Sequence, residues 1–359
     1  MPTRYCTLRV TCEAVGQKVR KHRKDGQALN QLPRTRTFNL NKNQLKRFER
    51  EGYLVIKNVL DPIEVIEPLF AEYAVVLDRL ANELFDRGEI SSTYRNLGFG
   101  DRMIRIYQES GRDHSRYFDP SLPTGGVTTN TPFWAGPAAF RILTDENILD
   151  VVESLIGPEI TSNPTQHVRI KPPENLLPKS RDVLVRANPW HQDNGVVHPD
   201  ADKTNMITVW ISLTEATVDR GCLHLIPGSH KKALRTHCIH PELAIPNELL
   251  ELDRVAAVPT KPGDIIVMHK HTCHCSLPNV SKNLRWSLDL RYNPTGQPTG
   301  RAGFPDFIAR SRSKPKNELR DPVAWSQMWH KARTQLTINP NPIGHHHGVR
   351  WKGTESVCA

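Results

Sequence analysis

From residue 160 onward the sequence is a series of short β-type runs separated by Pro, Gly and Asn, and this pattern restricts the fold most. The runs occupy residues 160–170, 183–187, 206–213, 222–226, 254–258, 264–269 and 284–292. Short strands with turn signals between them are typical of a sandwich or jelly-roll barrel, whereas βαβ units place helices between the strands. The sequence therefore predicts a core of mainly β structure.

Helical segments precede this β region. Residues 43–52 are predicted as a short helix, and the apolar run 53–56 as a strand. Asp61 has the features of a helix N-cap, because a proline follows it and a glutamate stands three residues further on. Apolar residues then recur with the helical period as far as residue 80, and another helix is predicted over 145–156. We expect these helices to flank the β core.

The positive charge is concentrated at the N-terminus. The 359 residues carry a formal net charge of +10, of which residues 1–36 contribute +7 through nine Lys and Arg against two acids. A surplus of this size suggests nucleic-acid or other anionic partners. Because it lies in an arm, we expect a flexible basic tail on a nearly balanced body and no nucleic-acid partner. A nuclear-import or anion-binding patch and a mitochondrial presequence are the alternatives.

Hydropathy and cysteine usage indicate the cellular environment. No window approaches the length of a membrane helix, and no apolar secretory segment opens the chain. We expect a soluble, cytoplasmic protein without a membrane partner, with nuclear or organellar targeting by the arm as the alternative. The seven cysteines are scattered and odd in number, so reduced thiols are expected.

A histidine and an aspartate stand two residues apart in the stretch from Trp190 to Asn194, as His191 and Asp193. On a strand, side chains at i and i+2 project from the same face, so both can meet at one point inside a barrel. Fe(II) accepts imidazole and carboxylate ligands together, and a face of two His and one carboxylate leaves positions open for substrates. Alone, the pair indicates a metal site only weakly, because such pairs are common by chance.

A second pattern follows 83 residues after His191, where the run ending at Met268 precedes His274, and Arg285 stands eleven positions beyond His274. The alternative here is a zinc site within the cluster His269, His271, Cys273, His274 and Cys275. Zinc modules usually have a second, distant pair of ligands, which this sequence lacks. The remaining histidines of the region are expected in loops or turns: His224, His230, His237 and His240.

Together these residues resemble the phytanoyl-CoA dioxygenase family of Fe(II)/2-oxoglutarate oxygenases. That family's pattern is His-x-Asp, then a distal His in a His-x-Ser context, then an Arg eleven positions on. The segments 219–223 and 226–231, and the opening 48–53, are also similar to the family, so the resemblance covers roughly residues 38–300. It implies a double-stranded β-helix core of the jelly-roll, cupin-like type.

The resemblance also implies roles for the matching residues. His191, Asp193 and His274 would bind Fe(II) and so carry the catalysis. Arg285 would pair with the distal carboxylate of the cosubstrate 2-oxoglutarate through a planar fork that a lysine cannot copy.

Four further residues have weaker assignments. Ser276, on the same strand face as the distal ligand, could donate its hydroxyl to the cosubstrate carboxylate. By family position Trp210 would help wall the cosubstrate pocket, with a plain core position as the alternative. His167 would reach the inner side of that pocket. Arg291 shares the strand face of Arg285 and is expected to pair with an acid.

The reaction implied is the hydroxylation of an unactivated C–H bond by O2, with conversion of 2-oxoglutarate to succinate and CO2. Related halogenases replace the carboxylate ligand by a small residue, so Asp193 favours oxygen transfer; desaturation and ring formation stay open. The body lacks a Gly-rich phosphate loop or a basic stripe for CoA, which favours a free small molecule such as a specialised metabolite. The alternatives are an acyl-CoA 2-hydroxylase and a non-catalytic metal-binding barrel with a nucleic-acid-binding arm.

We expect three regions: the arm 1–36, an oxygenase domain 37–300, and an extension 301–359 that packs on the core. The extension contains three tryptophans and is also a candidate for a homodimer contact. Residues 88–140, rich in Gly, Pro and aromatic side chains, are expected to form a flexible lid over the substrate pocket.

Overall fold

Two antiparallel β-sheets form the centre of the molecule. The computed structural model describes residues 37–179, 182, 184–239, 243–339 and 349–358, so the basic arm lies outside the described residues. The larger sheet has the strand order β1-β7-β4-β9-β2-β10, and the smaller sheet has the order β3-β8-β5-β6. In the order of the chain, the strands are Tyr53–Ile56, Glu159–Lys171, Asn188–His191, Ile207–Ser212, Leu223–Leu225, Ala256–Val258, Ile265–His269, His274–Ser276, Arg285–Pro294 and Phe307–Ser311.

The pairing of these strands matches the expected jelly roll. Non-consecutive strands lie side by side in both sheets, and all the paired strands are antiparallel. β4 and β9 are buried along nearly their whole length, because they lie in the middle of the larger sheet. The expectation of a mainly β core with flanking helices is confirmed.

Helices pack against the larger sheet. Within the described residues the α-helices are α1 to α6: Lys42–Glu51, Glu67–Asp86, Phe99–Ser110, Pro137–Leu143, Glu146–Ile156 and Pro322–Ile338. Their starts follow the predicted signals. The Asp61 carboxylate accepts hydrogen bonds from the amides of Ile63 and Glu64, and a short π-helical turn then leads into α2. Asp145 caps α5 in the same way.

An aromatic cluster joins the helices to the larger sheet. Trp286 on β9 stacks on Phe99 of α3 with ring centroids 4.9 Å apart, and Tyr73 of α2 meets it edge-on at 5.4 Å. Tyr107 and Phe118 are almost completely buried in the same core. These aromatic residues of the 88–140 region therefore pack in the core, and they are not the mobile lid surface that the sequence suggested.

One predicted strand is absent from the described part of its segment. Instead of a strand at 183–187, the Asp182 backbone carbonyl accepts hydrogen bonds from the amides of Val185 and Arg186, and its side chain accepts one from Leu184. An aspartate that accepts hydrogen bonds from the amides that follow it favours a turn over pairing of the segment as a β-strand. The strand begins at Asn188 and runs to His191.

The segment beyond residue 300 contributes to both the sheet and the core. β10 pairs with β2 at the sheet edge, where Phe307 is opposite Ser162. α6 buries Trp325 and Trp329 completely. The sequence analysis did not predict β10.

The cysteines depart from the expectation of reduced thiols. Cys238 and Cys358 form a disulfide, whereas Cys222, Cys273 and Cys275 are free and buried. The two partners are 120 residues apart in the sequence, so their pairing could not be predicted from spacing. Within the described residues, no helix is both long and apolar enough to cross a membrane.

Candidate metal centre

Three potential metal ligands converge between the two sheets. His191 ends β3 and lies directly opposite His274 at the start of β8. The Oδ1 atom of Asp193 lies 3.9 Å from Nε2 of His191 and 4.0 Å from Nε2 of His274. Asp193 stands on a 3-10 turn after the strand, and not on the strand itself as the sequence suggested. The residues nevertheless meet, because one potential ligand atom from each lies within 4.8 Å of the other two.

Backbone carbonyls orient both imidazoles. Nδ1 of His191 lies 2.8 Å from the carbonyl of Pro189, and Nδ1 of His274 lies 3.0 Å from that of Thr272. Each Nδ1 therefore carries the proton and donates it, which leaves Nε2 with a lone pair that faces the centre. Burial and the neighbouring His274 hold the pKa of His191 well below its ordinary value, so this ring stays neutral and able to bind a metal.

The carboxylate of Asp193 is fully buried and held by two donors. Thr208 donates to Oδ2 and Arg291 donates to Oδ1. Burial alone would raise the pKa of Asp193, but the charge of Arg291, together with His274 and His191, outweighs burial and holds the pKa below the ordinary range. Arg291 thus pairs with an acid, as expected, and the acid is the candidate ligand itself.

A second set of contacts fixes the turn that carries Asp193. The amide of Gln192 donates to Nε2 of His237 at 3.0 Å, and the indole of Trp351 donates to the carbonyl of Gly195 at 2.8 Å. Trp351 also stacks on His237, with ring centroids 5.0 Å apart. A Cβ at residue 195 would lie 2.3 Å from His237, so glycine is required for this approach. His237 therefore supports the site from a loop, whereas His240 lies outside the described residues.

The zinc alternative is not supported. Within the described part of the chain, His191, Asp193 and His274 are the one group of three such side chains close enough to hold a metal ion. Cys273 instead packs in a small apolar cluster with Ile226 and Ile245. Burial raises the pKa of Cys275 to about 12, so its thiol is protonated at neutral pH.

A narrow cleft beside His274 contains the predicted cosubstrate residues. Arg285 is fully buried, and its Nη1 donates to Ser287 at 3.0 Å, while Nε and Nη2 have no hydrogen-bond partner among the described residues. Ser276 and Trp210 line the same cleft. The guanidinium carbon of Arg285 lies 5.7 Å from the ring centroid of Trp210, so the ring forms a wall of the cleft and contacts the cation.

Lys171 is a basic side chain in contact with this cleft, through Ser276, that the sequence analysis did not identify. Its Nζ donates to the hydroxyl of Ser276 at 2.9 Å, and the amide of Asn188 donates to the same oxygen at 3.2 Å. Ser276 therefore accepts two hydrogen bonds and keeps its own proton to donate. Burial, followed by the charge of Arg285, holds the pKa of Lys171 well below its ordinary value. The β2–β9 register pairs Lys171 with Arg285, a long-range fact that no local motif shows.

A larger cavity of about 580 Å3 opens on the other side of the centre. His191 and His167 line it, and neither Arg285 nor Ser276 does. The structure thus places His167 in the larger cavity, with Nδ1 3.0 Å from Oδ2 of Asp119. Burial lowers the pKa of His167, and Asp119 offsets part of this shift. Residues 121–125, a continuous run within the 88–140 region, also line this cavity.

Three residues line both spaces: Arg169, Asn188 and Arg291. The candidate ligands therefore stand where the narrow cleft meets the larger cavity. A jelly roll with two histidines and one carboxylate on a single face of a metal position defines a class, the 2-His-1-carboxylate metalloproteins, whose open positions suit non-haem Fe(II) chemistry.

The chain belongs to the phytanoyl-CoA dioxygenase (PhyH) family, whose model matches residues 48–287. The resemblance noted from the sequence motifs is thereby confirmed. Residues 288–359, which include β10 and α6, lie beyond the matched range.

Several curated relatives share part of the sequence. The chain is 34% identical over 124 residues to 1-deoxypentalenic acid 11-beta-hydroxylase of Streptomyces exfoliatus, a match that covers 31% of this chain and 43% of the relative. It is 34% identical over 104 residues to phytanoyl-CoA dioxygenase 1 of Oryza sativa subsp. japonica, covering 28% of this chain and 36% of that one. The chain thus spans less than half the length of these relatives.

Among solved structures, the non-heme monooxygenase ThoJ in its apo form is similar, with a TM-score of 0.55 and 21% sequence identity. The similarity covers 82% of this chain and 97% of that chain. It supports the jelly-roll fold.

Proposed function

We propose that this protein is an Fe(II)- and 2-oxoglutarate-dependent dioxygenase that hydroxylates an unactivated C–H bond of a free small molecule, such as a specialised metabolite. The observation that carries the proposal is the position of the triad His191, Asp193 and His274 between a cationic cleft and a cavity of about 580 Å3. The family membership of the chain supports the same reaction class.

The donor set fits Fe(II). Two imidazole nitrogens and one ionised carboxylate occupy a single side of the candidate position, which leaves the opposite side to other ligands. Bound there, iron would supply the reduction of O2 coupled to the decarboxylation of 2-oxoglutarate to succinate and CO2, with one oxygen atom entering the substrate. A carboxylate ligand in place of a small residue favours oxygen transfer over halogenation.

The narrow cleft fits the distal carboxylate of 2-oxoglutarate. Arg285 has two unpartnered nitrogens on a planar guanidinium, and Ser276 has a free hydroxyl proton. Lys171 adds a third donor group at the same place. Burial of Arg285 lowers its pKa to about 10, which still leaves it protonated at neutral pH. A buried cation without a carboxylate partner favours a dianionic cosubstrate, because the pairing removes the cost of leaving it uncompensated.

The protein's own contribution is to hold its ligands rigid and to exclude water. Asp193 is fully buried, and both histidines are only 6% exposed. Arg291 and Thr208 keep the carboxylate ionised and oriented, while Pro189 and Thr272 fix the two rings. A substrate in the larger cavity would therefore meet the centre from one direction and outside bulk water.

Anaerobic spectroscopy tests the proposal. Wild-type protein with Fe(II) and 2-oxoglutarate should develop a weak visible charge-transfer band, and His191→Ala should abolish it. His224→Ala is the matched control, because His224 lies on β5 outside the triad. Under air, wild type should form succinate from 2-oxoglutarate. If wild type shows neither the band nor succinate with free acids, terpenoids or acyl-CoA thioesters, the proposal is wrong.

The division into an arm 1–36, an oxygenase domain 37–300 and an extension 301–359 is also proposed here, together with a cytoplasmic location and a possible role of the extension in a homodimer. The near-balanced charge of the body supports the expectation of small-molecule rather than nucleic-acid partners. Light scattering on the purified protein distinguishes a monomer from a homodimer.

A further inference from the structure

The larger cavity has a cationic lining. Arg116, Arg169, Arg291 and Arg301 line it, and the described lining residues include no aspartate or glutamate. Three of these arginines have carboxylate partners outside the lining: Arg116 with Asp119 and Asp182, Arg169 with Asp289, and Arg291 with Asp193. Most of the positive charge is therefore compensated before any ligand enters.

Arg301 is the exception. Its side chain is more than nine-tenths buried, and no carboxylate among the described residues pairs with it. Its Nη2 donates to the carbonyl of Val196 at 2.7 Å and its Nε to the hydroxyl of Thr165 at 3.4 Å. Its Nη1 has no partner within the described part of the chain. A buried cation with only neutral partners is costly, and an anion beside it would lower that cost.

The backbone holds Arg301 beside the metal centre. Gly300 adopts φ +71°, and a Cβ there would lie 2.8 Å from Cβ of Val197, so only glycine fits. The carbonyl of Gly300 accepts a hydrogen bond from the amide of His198 at 3.1 Å, which ties it to the turn that follows Asp193. Arg291 also donates to Thr165, through the carbonyl at 3.1 Å. Thr165 therefore accepts hydrogen bonds from both Arg301 and Arg291, and Arg291 in turn contacts Asp193.

The rest of the cavity is largely apolar. Eight apolar residues line it: Leu122, Pro123, Pro164, Leu184, Pro189, Val196, Leu243 and Phe304. Ligand cavities of this size usually orient an apolar ligand through a small number of polar groups. Arg301 and Phe304 lie beyond residue 287, where the family match ends, so these two wall residues belong to the C-terminal part of this chain.

We propose that the prime substrate carries one carboxylate on a largely apolar skeleton, and that Arg301 binds this carboxylate. The inference rests on the proposed function, because it takes the larger cavity as the site of the prime substrate. Arg301 then determines specificity by setting one end of the substrate, while the apolar wall holds the skeleton. Arg301 would fix the carboxylate end of the substrate close to the metal centre. The C–H bond that reacts would then be the one whose distance from the carboxylate places it at the metal.

Equilibrium binding tests this without turnover. Dodecanoic acid, abietic acid and 1-adamantanecarboxylic acid are each compared with their primary amides by calorimetry, in anaerobic protein that contains Fe(II) and 2-oxoglutarate. At least one acid should bind wild type ten or more times tighter than its amide, because only the acid supplies a charge for Arg301. Arg301→Gln should remove this preference, and Arg301→Lys should keep part of it.

Arg102→Gln is the control, since Arg102 is a buried arginine that pairs with Asp78 away from the cavity. It should leave the acid-to-amide ratio unchanged. The proposal is overturned if no acid binds wild type better than its amide, or if Arg301→Gln retains the preference. The charge-transfer band of the same samples reports separately on iron and 2-oxoglutarate. If wild type shows the band but prefers no acid over its amide, the Arg301 assignment alone is refuted; if wild type shows no band, the proposed reaction is refuted.

Discussion

Two basic side chains stand at paired positions of β2 and β9 next to the narrow cleft. Lys171 donates to Ser276, and Arg285 lies on the strand directly opposite Lys171. An ammonium and a guanidinium differ in what they offer a carboxylate: the first is a point charge, whereas the second provides two parallel donors. We expect Arg285 to determine the affinity for 2-oxoglutarate and Lys171 to polarise Ser276.

Arg285→Lys separates these roles. The substitution keeps the charge but removes the fork, so the Kd for 2-oxoglutarate should rise at least tenfold, by about 1.4 kcal/mol or more. Titration of the anaerobic charge-transfer band measures it. Arg320→Lys, at an exposed arginine, is the control and should leave the Kd unchanged. An unchanged Kd in Arg285→Lys would show that the distal carboxylate binds elsewhere.

At this scale the sequence could predict the triad and Arg285, because their spacing is local and specific. It could not predict Lys171 or Arg301, which reach the site only through the pairing of β2 with β9 and the turn at Gly300. His237 was expected in a loop and lies in one, yet its hydrogen bond to Gln192 joins residues 45 positions apart. Such contacts have no signature in a single sequence.

At the scale of elements, one arginine joins β10 to α5. Arg310 is fully buried and donates to Asp150 at 3.0 Å and to Glu153 at 2.8 Å. Asp150 is itself buried and also accepts a hydrogen bond from the amide of Phe38. Removing one partner of a buried pair leaves an uncompensated charge. The attachment of the last strand therefore depends on this group.

Arg310→Gln should lower the free energy of unfolding at pH 7 by about 3 kcal/mol, as measured in urea. Burial alone would raise the pKa of Glu153, but Arg312 and Arg310 hold it below its ordinary value. A carboxyl whose pKa is lower in the folded than in the unfolded protein stabilises the fold at any pH above the unfolded-state pKa. This stabilisation is lost as the pH falls through the lower, folded-state pKa. The loss in Arg310→Gln should therefore shrink between pH 5 and pH 3.

Arg312→Gln is the matched control for this prediction. Arg312 pairs with the same Glu153 at 2.8 Å, but its side chain is 55% exposed, so its loss should cost less than about 1 kcal/mol. Equal losses in the two variants would contradict the central role of Arg310.

The disulfide holds the last described segment against the metal turn. Cys358 is bonded to Cys238, and Trp351 of the same segment contacts both His237 and Gly195. Cys238→Ser with Cys358→Ser should lower the free energy of unfolding by about 2–5 kcal/mol, because the cross-link closes a long loop in the unfolded chain. It should also weaken iron binding. Reducing agent should reproduce both effects in wild type and change nothing in the double variant.

Element prediction succeeded where periodicity was long or capping was specific, as in α1, α2 and α5. It failed at 183–187, where Asp182 organises a turn within an apolar run. It also missed β10, which lies beyond the last predicted run.

At the scale of the whole molecule, most of the net positive charge lies in the arm, residues 1–36, and the rest of the chain is nearly balanced. Deleting residues 1–36 should leave the charge-transfer band and succinate formation within about twofold of wild type, because the described contacts of the site all lie between residues 116 and 351. Iron titration and a succinate assay measure this. A large loss of either would show that the arm is part of the catalytic unit.

The disulfide between Cys238 and Cys358 also closes a covalent ring of the chain from residue 238 to residue 358. This ring includes His274, Arg285 and Arg301. A protease that cuts once anywhere within that ring leaves both fragments joined. Nicked molecules would therefore have the mass of the intact chain plus one water until they are reduced, and the ring residues of the site would stay attached to His191 and Asp193, which precede the ring.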